Sequence, residues 1–478
     1  MSSVDSAILD ANTGWIILAI FSAIWIFLGW WWGRNARQLE EFMLAGRNVG
    51  MALAVTTAMA TWVTSNTTMT APQFAYQLGI WGMVGYSLGS VGLMMFAPMA
   101  RRIRELLPHG FTSGDFIRRR YGKLAWIVFL IISLIYAVGW LISLGMAGGV
   151  LINALTGIDY TLGMSVILFI CVLYTILGGL RAVIGTDFIQ TILILVGIVI
   201  LSWLAIDKIG FEQIHTSTLE KRPELLNLLM PASIMFLFNN LLFGVGEIFH
   251  SNVWWSRAFA FRKDVGFRAY LTAGILWMPI PIVAGFIALA APALDLNIPA
   301  ADMVGPMVAA KLLGVTGAIL VFIIVFSALA SSLDSLLAAT SDLVMQDIYR
   351  GMFNRNATDA HLRFASKLII LGLGLFTWVL CYLHISTLGM LLQFLGSFVA
   401  STIWPVIAGL YWDKTNKTGA MLAMLLGSIT GLIAYFEIGF YVAALVGAFV
   451  SMLIVLVSTW LRPEKFEWSE LSNSEVRG

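Results

Sequence analysis

Apolar runs close to twenty residues long recur from one end of this chain to the other. A hydrocarbon core of about 30 Å is crossed by about 20 apolar residues in helical form. In lipid every backbone N–H and C=O must also find its partner inside the protein, so only helices and closed barrels span. A barrel is written as ~10-residue segments of alternating polarity, and these runs do not alternate. The chain therefore reads as an all-α integral membrane protein. Composition agrees: 11% of the residues are charged and 59% are hydrophobic, where a soluble domain is about a quarter charged.

A hydropathy window finds about thirteen spans, near 15–33, 49–75, 79–100, 124–154, 159–179, 186–206, 230–250, 267–292, 316–347, 366–385, 388–411, 418–437 and 439–461. Basic residues fall in every second connection. Arg34, Arg37 and Arg47 follow the first span, and Arg101, Arg102, Arg104, Arg118, Arg119, Arg120 and Lys123 follow the third. Arg181 follows the fifth, Arg257, Arg262 and Lys263 the seventh, and Arg350, Arg355, Arg363 and Lys367 the ninth. Lys414 and Lys417 follow the eleventh, and Arg462 and Lys465 the last. The positive-inside rule then predicts an odd number of spans in the cell membrane, with the N-terminus outside and the C-terminus cytoplasmic.

Other classes are poorly supported. A net charge of +2 does not suggest nucleic acid. Cys171 and Cys381 both lie in apolar runs and read as packing residues rather than a disulfide or a metal pair. The first apolar run follows Asp5 and Asp10 without a basic leader, so it reads as a retained helix rather than a cleaved signal. No separate soluble domain and no GxxxxGK[ST] loop is seen, which argues against ATP-driven transport within this chain. The histidines are scattered and no nucleophile–base pair stands out, so an enzyme is not expected.

Three spans are not simple. The second carries "ATWVTSNTTMTAP" at 60–72, whose hydroxyls could cap the backbone where a helix breaks. The seventh carries "FNNLLFGVGEIFH" at 238–250, with paired asparagines, a Gly-x-Gly and an acid. The ninth carries "SALASSLDSLLAATSDL" at 327–343, with five serines, a threonine and two aspartates. The second and seventh spans are five apart, the spacing expected if two inverted five-helix units each begin with an interrupted helix. The competing reading is that glycine and hydroxyl residues only permit close helix packing.

On a helix, Ser327, Ser331, Asp334 or Ser335, Ala338 and Ser341 or Asp342 share one face. Neutral oxygens gathered so suit a small hard cation. An aspartate at the middle of a membrane helix costs several kcal/mol unless it is paired or wet. Asp334 thus reads either as functional or as lying near a wet cytoplasmic end. Asp187, at the start of the sixth span, reads either as a helix N-cap or as a site residue. Glu247 reads either as a site residue or as part of an inner vestibule.

These residues resemble the sodium/solute symporter family, which holds the proline, sialic acid, galactose and urea symporters. The resemblance rests on "FSALASSLDSLLAATSDLVMQDIYR" at 326–350, "GLYWDKTNKTGA" at 409–420, "YTILGGLRAVIGTDFIQ" at 174–190 and "SNVWWSRAFAFRKDVGFRAY" at 251–270. It implies a LeuT-like 5+5 inverted-repeat fold. Here that would be an extra N-terminal helix at 15–33, repeats at 49–206 and 230–411, and two C-terminal helices at 418–461. It also implies a sodium site made by Ala328, Ser331 and Ser332 with backbone carbonyls of Ala60 and Val63. A candidate second cation site would use Asp187, Ser331, Asp334 and Ser335, with Asp334 standing where the family has a hydroxyl. Substrate-binding positions would be Thr64, Ser65, Thr67, Thr68, Asn239, Asn240, Phe243, Glu247, Gln393 and Ser397.

The segments "FLFNNLLFGVGEIFHSNVWWSRAFA" and "PAADMVGPMVAAKLLG" look most like the urea-transporting branch. No arginine is expected inside these spans to clamp a substrate carboxylate, which favours a small neutral polar solute over an organic anion. The expectation is sodium-coupled import of such a solute. The rivals are a proton-coupled carrier using Asp334, Glu247 or Asp187, and a channel or sensor.

Overall fold

The computed structural model describes residues 9–34, 38–383 and 386–472. In chain order its main helices are α1 (Ala11–Gly33), α2 (Met51–Ala60), α3 (Ser65–Leu78), α4 (Ile80–Leu106), α5 (Ser113–Thr156), α6 (Tyr160–Ile209) and α7 (Pro231–His250). They continue with α8 (Asn252–Ala260), α9 (Gly266–Leu294), α10 (Val304–Leu343), α11 (Asp359–Tyr382), α12 (Leu388–Tyr411), α13 (Lys417–Glu437) and α14 (Phe440–Leu461). Among the described residues no β-strand occurs beyond one isolated parallel bridge, Val49 with Phe261. Ile16, Ile20, Ile24 and Phe27 stand exposed along α1, as a lipid-facing stripe requires.

Eleven helices among the described residues are long and apolar enough to cross a membrane. The difference from thirteen lies in two elements. The second span is split into α2 and α3, each too short to qualify alone. The fifth and sixth spans form the single element α6, whose 50 residues would reach about 75 Å if straight. It is not straight. Gly179 takes φ 56°, ψ −151°, a conformation that only glycine adopts without strain. Tyr174 Oη donates to Ala330 O at 2.9 Å, and Asp187 accepts from Ser331. Tyr174 and Asp187 would be about 20 Å apart on a straight helix, yet both reach the same turn of α10. The chain therefore folds back at Gly179.

The most extensive packing is that of α6 on α10, of α13 on α14 and of α1 on α6. Small residues allow close approach at another contact as well: a Cβ on Gly244 of α7 would lie 2.4 Å from Gly89 Cα of α4. The Gly-x-Gly of α7 is thus a packing device. α7 runs unbroken through it to His250, and the interruption falls one residue later, at Ser251. The bridge noted above ties the chain just before α2 to the chain just after α8. Val49 N–H donates to Ala260 O at 3.1 Å, and Arg262 N–H donates to Val49 O at 3.2 Å.

Candidate functional site

The break between α2 and α3 spans residues 61–64, and a capping box organises it. Thr64 Oγ1 accepts the Thr67 N–H at 3.0 Å, and Thr67 Oγ1 accepts the Thr64 N–H at 3.2 Å. In an unbroken helix those two N–H groups would close the i→i−4 ladder onto Val63 O and Ala60 O. The box takes them away and leaves both carbonyls outside the ladder. Thr67 Oγ1 also donates to Trp62 O at 2.8 Å. The hydroxyls of Thr64 and Thr67 are therefore spent on the backbone, not offered to a solute. Ser65 opens α3, and its side chain lies outside the described residues.

α10 faces this break. Ser332 Oγ lies 3.1 Å from Thr61 O and 2.9 Å from Ala328 O, so one hydroxyl spans both helices. Ala60, Val63, Ala328, Ser331 and Ser332 are all buried. Two unladdered carbonyls at a buried break that Ser332 reaches from α10 offer oxygens of the kind that suits a small hard cation.

The residues expected to hold a second cation are held by something else. Arg257, on α8, is fully buried, as is Asp187, and the two pair at 3.4 Å. Its Nε donates to Thr57 Oγ1 at 3.1 Å, and its Nη2 to Thr61 Oγ1 at 2.6 Å and Ser335 Oγ at 2.7 Å. Nη1 donates to Val253 O at 3.2 Å. Asp187 further accepts from Thr57 Oγ1 at 2.6 Å and from Ser331 Oγ. The structure corrects four expectations. Arg257 is not in a solvated basic connection, because the chain re-enters the bundle as α8. An arginine does lie inside the bundle. Asp187 is not a helix N-cap, because α6 continues through it and its carboxylate faces α2, α8 and α10. Asp334 is fully buried rather than wet, and neither carboxylate oxygen has a partner among the described residues.

The candidate substrate residues divide. Asn239, Asn240 and Gln393 form one chain of amides, in which Asn239 Nδ2 donates to Gln393 Oε1 at 2.8 Å and Gln393 Nε2 to Asn240 Oδ1 at 3.0 Å. Asn240 Nδ2 donates to Gly85 O at 2.9 Å, while Asn239 Oδ1 accepts the N–H groups of Ala444 and Leu445 at 2.8 and 3.1 Å. These amides tie α7 to α4, α12 and α14, which is a structural clamp. Ser397, one turn beyond Gln393, packs against Gly431 of α13, and its hydroxyl has no partner among the described residues. Phe243 stacks with Trp140 at 6.2 Å between centroids. Glu247 does reach the break: its Oε2 accepts Trp62 Nε1 at 2.9 Å. Trp62 in turn stacks on Trp277 at 4.5 Å and meets Trp254 edge-on at 6.0 Å. Thr68 is buried on α3.

Arg257, Thr57, Thr61 and Trp62 were not picked out as site residues from the sequence. The signal for Arg257 lay in "SNVWWSRAFA", where one charge sits among tryptophans and small residues. A short polar-looking segment after an apolar run reads as a connection until a second helix is seen to follow it.

Paired interrupted helices around a buried oxygen set define a membrane carrier of the LeuT-like class. Residues 42–427 match the sodium:solute symporter family, and the chain belongs to that family. It is 26% identical to the urea-proton symporter DUR3 of Oryza sativa subsp. japonica, over 94% of this chain and 70% of that one. It is also 26% identical to the osmoregulated proline transporter OpuE of Bacillus subtilis, over 92% of this chain and 94% of that one. A solved Na+-coupled sialic acid symporter, substrate-bound and outward-open, superposes with a TM-score of 0.78 at 18% identity, covering 95% of this chain and 99% of that one. MHP1, a nucleobase-cation-symport-1 family transporter, superposes with a TM-score of 0.60 at 16% identity, covering 90% and 96%. The chain is thus a multi-pass membrane transporter and not an enzyme.

Proposed function

We propose that this protein is a sodium-coupled symporter that imports a small neutral polar solute, urea being the first candidate, by alternating access. One observation carries the reading: the Thr64–Thr67 box strips Ala60 O and Val63 O from the helix ladder at the same break where Ser332 of α10 reaches Thr61 O. Sodium bound there would join α2 to α10 and hold the outward-facing state. The solute would then close the outer side, and the repeats at 49–206 and 230–411 would rock inward. Each ligand must prefer the same state for the coupling to work, and the effect is reciprocal. The inward potential adds about 2.3 kcal/mol per charge per 100 mV.

A neutral solute fits the electrostatics. All three nitrogens of Arg257 are engaged within the protein, so it does not offer a clamp for a substrate carboxylate. Urea and proline transporters stand among the relatives, which supports testing those solutes first. The test is uptake of labelled urea, proline and sialic acid into proteoliposomes with and without an inward sodium gradient. The expected result is sodium-dependent accumulation of urea. Accumulation of another solute would keep the ion site and change the cargo. Uptake driven by a pH gradient without sodium would remove sodium from the reading and turn attention to Asp334.

A further inference from the structure

Two of the four residues expected to hold a second cation touch a guanidinium instead. Arg257 Nη2 contacts Ser335 Oγ at 2.7 Å and Asp187 Oδ2 at 3.4 Å. A third residue, Ser331, has turned its proton to Asp187. The fourth, Asp334, joins neither. A guanidinium and a sodium ion ask the same things of a site: a carboxylate and several neutral oxygens. Here those oxygens come from Thr57 on α2, Thr61 in the break that follows it, Asp187 on α6 and Ser335 on α10. Arg257 itself comes from a fourth helix, α8, the inner half of the second interrupted helix. Both charges are fully shielded from solvent. Such a pair keeps its place only when its hydrogen bonds are made, and these are.

From this geometry we infer that Arg257 is the resident cation of the second site. The transporter then carries one sodium ion per cycle, at the Ala60–Val63–Ala328–Ser331–Ser332 set, and the chain itself supplies the charge that a second sodium would bring. The inference rests on the sodium-symport reading. It implies that shortening Arg257 creates a second sodium site. Arg257→Ala leaves Asp187 among the hydroxyls of Thr57, Thr61, Ser331 and Ser335, an oxygen cage built on a carboxylate.

The experiment is equilibrium binding of radioactive sodium to the purified full-length protein, with thermal stability recorded across a sodium titration. Wild type and Arg257→Lys are expected to bind one sodium ion, Arg257→Ala two, and Asp187→Asn/Arg257→Ala one again. Arg257→Ala should also gain more thermal stability from sodium than wild type does, which separates filling a site from losing a packing residue. In transport, a tenfold inward sodium gradient at zero potential should concentrate the solute no more than about tenfold, against about a hundredfold for two coupled ions. Two sodium ions in wild type would overturn the inference and leave symport intact. One sodium in Arg257→Ala that still binds solute would also overturn it. If Arg257→Ala does not fold, the wild-type count and the accumulation limit still decide. No sodium in wild type would remove the symport reading itself.

Discussion

Ser332 is the residue whose side chain does most with least. One hydroxyl reaches the helix break at Thr61 O and its own helix at Ala328 O. Replacing it with alanine removes a cation ligand and a link between α2 and α10 while changing little volume. Ser332→Ala is expected to raise the sodium concentration for half-maximal uptake about tenfold or more, equivalent to about 1.4 kcal/mol. Expression and solute binding at saturating sodium should change far less. Unchanged sodium dependence would remove Ser332 from the site. The serines of α10 were readable from the sequence because helical spacing is local. Which oxygen each would meet was not. Ser332 meets a residue 271 positions away, and Asn239, which reads as a solute ligand, is instead spent on the start of α14.

Among the elements, the interruption between α2 and α3 is the informative one. Its cap is written locally, as threonines at 64 and 67 ahead of an apolar stretch, and the sequence showed it as a break for that reason. Thr64→Val keeps the shape and deletes the acceptor for the Thr67 N–H. A lost cap costs about 0.5–2 kcal/mol, so a lower melting temperature is expected. Sodium affinity should fall as well, since the Thr67 N–H becomes available to Val63 O. A variant that loses stability but keeps wild-type sodium affinity would show that the cap is structural only. The second interruption falls at Ser251, one residue beyond the segment 238–250 that its composition singles out. Glycine signals both a break and a close approach, and Gly244 serves the approach. The fold-back at Gly179 was legible only as a gap between two apolar runs. Its sharpness depends on a positive φ that no neighbour in sequence announces.

For the whole molecule, the alternation of basic connections predicts which ends of the spans face the cytoplasm. Lys123 is exposed just beyond the positive-φ Gly122, near the start of the long span of α5, and Asp159 is exposed at that helix's far end. A cysteine at Lys123 should react with a membrane-impermeant maleimide only in inside-out vesicles, and one at Asp159 only in right-side-out vesicles. Cys171 and Cys381 are buried thiols and should give a low background. The reverse pattern would invert the orientation and make the proposed direction of import untenable. Arg257 leaves the tally of basic residues without upsetting the alternation, because Arg262 and Lys263 remain in the same connection.

The sequence by itself determined the all-helical membrane architecture, the alternation of charge, the first helix break and the oxygen-rich face of α10. Each of these depends on apolar length, helical period or a cap, and all three act within a few residues. Only the tertiary structure decided that α8 returns to the bundle and that Arg257 meets Asp187 across 70 positions. It likewise decided that the amides of Asn239, Asn240 and Gln393 are spent on one another and on backbone groups of α4 and α14. A buried ion pair keeps its place only when its hydrogen bonds are made, and for Arg257 and Asp187 those bonds come from other helices.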